Sequence, residues 1–139
     1  MIEPHPISHL SQVISQAIAP AFILGAASGF ISVLVTRLNR IVDRSRLLST
    51  TSESTEAQVE LSRLTARASL INRALFWAVT SALVTIALMI TAFTAAFFEF
   101  QHERAVSILF ILALVLFGAS LVNFGREIRI VINDPNNFE

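Results

Sequence analysis

The sequence predicts an all-α integral membrane protein with three transmembrane helices and a cytoplasmic helical hairpin extending from spans one and two. Three stretches, 14–35, 74–98 and 105–124, contain no Asp, Glu, Lys, Arg or His. As helices they would measure roughly 33, 38 and 30 Å, enough to cross a hydrocarbon core ~30 Å thick. Composition agrees, because 54% hydrophobic with 14% charged residues is too apolar for a water-soluble domain of 139 residues.

Residues 1–13 read as an external tail or interfacial helix. They carry no Lys or Arg, so they lack the positive start of a secretory signal, and the first apolar run is expected to stay in the mature chain. Gln12 and Gln16, one turn apart, suit an interfacial position. Pro20 removes a backbone donor within the first span. It is expected to mark the boundary between the outer helix and the buried part, with a hinge as the other reading.

Transmembrane helix 1, residues 14–35, contains a small-xxx-small motif from Gly25 to Gly29, with Ser28 inside it. Ala21 extends the motif on one side and Ser32 on the other. Such faces let helix backbones approach closely, within one molecule or between copies.

Residues 36–73 form the predicted arginine-rich hairpin. Leu61, Leu64, Ala68, Ile71 and Leu75 alternate at spacings of three and four, the stripe of an amphipathic helix. Leu38, Ile41, Val42 and Leu48 form the other arm. Between them, residues 49–56 supply turn-forming side chains and a capping box from Thr50 to Glu53. If the first arm continues the first membrane helix, it rises roughly 20 Å beyond the bilayer.

Transmembrane helix 2, residues 74–98, repeats Thr80, Val84, Ala87, Thr91, Thr94 and Phe98 at alternating spacings of four and three. That is a left-handed packing seam rich in hydroxyls, or a pore face on which hydroxyls replace part of an ion's hydration. Hydroxyls bonded to their own helix would look the same in sequence. An external turn, 99–104, leads to transmembrane helix 3, residues 105–124, where Gly118, Ala119 and Ser120 offer another small face. Residues 125–139 read as a cytoplasmic tail.

All ten basic residues are Arg, and seven of them lie between spans one and two. The positive-inside bias places that loop and the C-terminus in the cytoplasm and the N-terminus outside. Arg37, Arg40, Arg44 and Arg46 are expected to meet lipid headgroups or a partner protein. Asp43 would serve as their counter-charge, and Glu60 can pair with Arg63 one turn on.

Three segments of the chain resemble a bacterial membrane family, domain of unknown function 2721. They are Ala19-Pro20-Ala21-Phe22, the run from Arg37-Leu38-Asn39-Arg40 through Asp43-Arg44-Ser45-Arg46-Leu47, and Leu70-Ile71-Asn72-Arg73-Ala74. The likeness runs from about Ile7 to Val131, with the arginine segment its most specific part. It implies a bacterial membrane protein of a few spans, and it brings no catalytic residue or ligand to carry over; the expected location is the bacterial inner (plasma) membrane.

Several functions are disfavoured by what the residues lack. The spans hold no carboxylate, His or Lys of the kind coupled transporters use. Neither a phosphate-cradling glycine loop, a metalloprotease helix nor a nucleophile elbow is present. With no cysteine and a net charge of zero, thiol chemistry and nucleic-acid binding are disfavoured too. No enzyme activity and no cofactor are expected. His5, His9 and His102 fall on the external side and form a weak candidate metal set, so no metal site is assigned. The expected role is non-catalytic: a self-associating membrane interaction or assembly component, with the lipid bilayer, further copies and an unknown protein as partners. The alternative is a small homo-oligomeric ion channel lined by Thr80, Ala87, Thr91 and Thr94.

Overall fold

A computed structural model describes residues 6–51, 53–98 and 103–133 of the chain. Three α-helices account for nearly all of them: α1 Pro6–Thr51, α2 Thr55–Phe98 and α3 Glu103–Ile132. At 1.5 Å per residue they measure roughly 69, 66 and 45 Å, so all three outrun a hydrocarbon core. Each is long and apolar enough to span a membrane.

The apolar runs and the polar arms are therefore single continuous rods. α1 passes through Pro20 without a break in its helical assignment, and Pro20 is itself buried. Among the described residues it is the first of α1 to be buried. Likewise α3 continues eight residues beyond Phe124, where the sequence suggested a tail.

The turn between α1 and α2 is short. Ser54, rather than Thr50, caps α2: the amide of Ala57 donates to Ser54 Oγ at 3.3 Å, the N-cap pattern that satisfies an orphan donor. Thr50 belongs to the last turn of α1, where its hydroxyl donates to the carbonyls of Arg46 and Leu47.

What holds the rods together is a seven-residue rhythm. The inward positions of α1 are Pro20, Ala27, Leu34 and Ile41; α2 repeats Ala57, Leu64, Ile71, Ala78 and Thr85, and α3 repeats Ala113, Ser120 and Glu127. A strict period of seven winds helices into a left-handed supercoil. α2 packs against both neighbours.

The side chains on this seam change character along its length. Within the apolar runs most of the buried residues are small, as at Ala27, Ala74, Ala78, Ser81, Ala113 and Ser120, with Leu34 and Leu88 the large ones. Lipid gives no hydrophobic drive there, so close backbone approach and hydroxyl bonds must do the work. Ser81 Oγ donates to the carbonyl of Ala113 at 2.8 Å, and Ser120 Oγ donates to that of Ala74, so α2 and α3 are bonded in both directions. Further along, Leu34, Ile41, Leu64 and Ile71 form a cluster with Ala74, backed by Phe30, Leu38 and Phe124. Such large side chains gain from burial where the alternative is water.

The inward seam of α2 is displaced by one residue from the threonine series read in the sequence. Ser81, Thr85 and Leu88 are buried, while Thr80, Ala87, Thr91 and Thr94 lie half-buried or exposed beside them.

Candidate functional site

Each span ends close to where its arginines begin, and the seven-residue seam continues past that level. Position 127 is the next inward site of α3 after Ala113 and Ser120, so the seam carries a carboxylate into the bundle. Glu127 is fully buried. An unpaired carboxylate would be costly there, and two arginines from the other helices answer it.

From α2, Arg67 donates through Nε to Glu127 Oε1 at 3.1 Å. From α1, Arg37 Nη2 lies 3.1 Å from Oε2 and 3.4 Å from Oε1. The geometry to Oε2 is not that of a hydrogen bond, so that oxygen is held by charge alone. The guanidinium of Arg37 also lies over the ring of Phe124, 5.2 Å from its centre, a cation–π contact one turn from the carboxylate. Phe124 meets Phe30 edge to face at 5.2 Å, and Phe30 meets Phe117 at 5.9 Å. All three helices thus converge on one carboxylate at the rim of the apolar region.

A second pair closes the hairpin further out. Arg44 of α1 reaches Glu60 of α2 at 3.0 and 3.1 Å. Both side chains are half-exposed, so this contact adds little stability and mainly sets register.

The predicted site residues divide by position. Arg37 is turned inward onto Glu127 and Arg44 is engaged with Glu60, whereas Arg40 and Arg46 are exposed, as is Asp43. Ala21, Gly25, Ser28, Gly29 and Ser32 share an exposed strip of α1, and a Cβ added at Gly25, Gly29 or Gly118 would meet nothing within 4 Å. Within one chain these glycines carry no helix contact. Thr80 and Thr91 donate to the carbonyls of Phe76 and Ala87, one turn back on their own helix. His5 and His102 lie outside the described residues, as does the side chain of His9. Among the described residues, no group of three or more His, Cys, Asp or Glu is placed to hold a metal.

Glu127 and Arg67 were missed by sequence reasoning, which stopped the third helix at Phe124. The signal was present as the spacing of seven from Ala113 through Ser120 to 127.

Three apolar helices held by small residues, hydroxyl bonds and one buried ionic cluster define a protein of the multi-pass membrane class. The chain belongs to the family described as Protein of unknown function (DUF2721), whose model matches residues 17–136. That match takes in Arg37, Arg67 and Glu127. No curated protein and no solved structure matches the chain.

Proposed function

We propose that this protein is a non-catalytic, self-associating component of a bacterial inner (plasma) membrane. Its N-terminus lies outside and its C-terminus and arginine-rich hairpin lie in the cytoplasm. The bias of arginines toward one end of the helices supports this orientation. The hairpin acts as an assembly arm, with Arg40 and Arg46 exposed to headgroups or to a protein partner.

The observation that carries the self-association is the open face of α1. Gly25 and Gly29 have nothing within 4 Å of where a Cβ would stand, while Ala27, on the opposite face of the same turns, is fully buried against the bundle. Backbone exposed in this way suits the close approach of another helix. A second copy of the chain supplies the same small face.

The rival reading is a homo-oligomeric channel. It draws on the placement of Thr80, Ala87, Thr91 and Thr94 outside the intramolecular seam, where an oligomer could bring copies of this face around an axis. The mass of the particle in mild detergent tests both readings. A multiple of 15.3 kDa supports association, and a single chain removes it together with the channel. Ion flux in liposomes then separates the two, since an assembly component carries none.

A further inference from the structure

Beyond the apolar runs a groove of about 1230 Å³ opens between α2 and the end of α3, with Arg44 of α1 at its margin. It matches or exceeds the ~300–1,000 Å³ of ordinary ligand sites. Its lining carries an excess of positive charge: Arg44, Arg63, Arg67, Arg126 and Arg129 stand against Glu56 and Glu60. Glu60 is already engaged by Arg44 at 3.0 Å, and Glu56 sits in the first turn of α2, away from the membrane end. Among the described residues, Arg126 and Arg129 have no carboxylate partner. Spaced three apart, they share one face of α3.

The depth of these arginines decides what kind of anion they meet. Counted along the helices from the ends of the apolar runs, Arg126 stands roughly 3 Å beyond the hydrocarbon, Arg129 about 8 Å and Arg67 about 10 Å. The headgroup layer occupies roughly 5–8 Å on each side of the core. Leu70, Ile130 and Val131 line the same groove, so apolar surface sits beside the guanidinium groups. Phosphate carried by a lipid matches the depth of Arg126 and Arg129, and Leu70 is the apolar lining residue nearest the hydrocarbon. Guanidinium is also the side-chain group best suited to bind phosphate through two parallel hydrogen bonds.

We propose that the membrane end of the groove between α2 and α3 binds the phosphate headgroup of an anionic phospholipid, held by Arg126 and Arg129 with Arg67 at its outer margin. This site is separate from the exposed Arg40 and Arg46 of the hairpin, and it is formed within a single chain. It therefore stands or falls apart from self-association.

Native mass spectrometry of the full chain, released from nanodiscs of phosphatidylcholine doped with phosphatidylglycerol, reads the retained lipid directly. The expected result is preferential retention of phosphatidylglycerol. Each arginine near a headgroup contributes about fivefold in affinity, so Arg126→Gln with Arg129→Gln is expected to cost roughly 25-fold. Arg129→Gln alone, at an exposed position, carries the test at about fivefold if the double variant fails to fold. Arg104→Gln removes one charge at the opposite end of the helices, away from the groove, and is expected to change retention by less than about twofold. Equal losses in Arg104→Gln and Arg129→Gln would reduce the effect to diffuse surface attraction and overturn the site. Undiminished retention in Arg129→Gln would do the same. Glycerol 3-phosphate binding as tightly as the lipid would overturn the assignment to a lipid.

Discussion

Glu127 of α3 and Arg67 of α2, sixty residues apart in sequence, meet at 3.1 Å inside the bundle, and the carboxylate is wholly removed from solvent. Arg37 closes the cluster from α1. The contact sits where the apolar runs end, so it fixes the depth at which three otherwise slippery helices are registered. Small-residue seams alone leave sliding along the seam weakly opposed, whereas a buried ion pair has one acceptable position. Register is the best-attested use of such groups.

Glu127→Gln is expected to destabilise the folded protein by about 2 kcal/mol. That is less than the roughly 3–5 kcal/mol typical of breaking a fully buried pair, because both arginines keep partial contact with water. Thermal unfolding in mild detergent measures it. Combined with Arg67→Met, the loss is expected to be clearly less than additive, with a coupling of at least about 0.5 kcal/mol for groups in direct contact.

The hydroxyl bonds between α2 and α3 predict a contrast of size. Ser120→Ala removes the bond to Ala74 and is expected to cost about 0.6 kcal/mol, the ordinary value for a hydrogen bond between membrane helices. Ser120→Leu forces bulk into a fully buried position and is expected to cost several times more, about 3 kcal/mol or above. Unfolding of the two variants side by side in denaturant separates the loss of a bond from a steric wedge.

Thr91→Val is expected to leave stability within about 0.5 kcal/mol, since its hydroxyl bonds to its own helix and its side chain lies off the inward seam. In liposomes the same variant should be as silent as the parent toward ion flux. A flux in the parent that the variant alters would transfer the function to the channel reading.

The three helices were legible because charge-free runs of 20 residues or more have few alternatives, and the resemblance carried by the arginine segment agrees with the family match. That α2 begins well ahead of its apolar run was legible from the spacing of Leu61, Leu64, Ala68 and Ile71. The inward seam of α2 falls one residue from the threonine series for a geometric reason. Positions 80, 84, 87 and positions 81, 85, 88 both alternate four and three, and adjacent seams differ only by the 100° step of one residue. Hydroxyls drew attention to the first, whereas Ala74, Ala78 and Ser81 offered the smaller surface that packing selected. The end of α3 was hidden because Asn123, Gly125 and Arg126 have the look of a terminus. Only the alanine, serine and glutamate at intervals of seven showed that the seam went on. The cap was misassigned because Thr50 and Ser54 both offer a hydroxyl; the last turn of α1 took the first.

Self-association through the strip around Gly25 is the central claim, and the absence of native cysteine makes it directly measurable. Gly25→Cys, placed where a Cβ meets no neighbour in its own chain, can be oxidised in intact membranes beside Val115→Cys, an exposed position on α3. The account predicts a disulfide-linked dimer for Gly25→Cys and little or none for Val115→Cys. A Gly25→Cys chain that stays uncrosslinked, or that crosslinks no more than Val115→Cys, would contradict it.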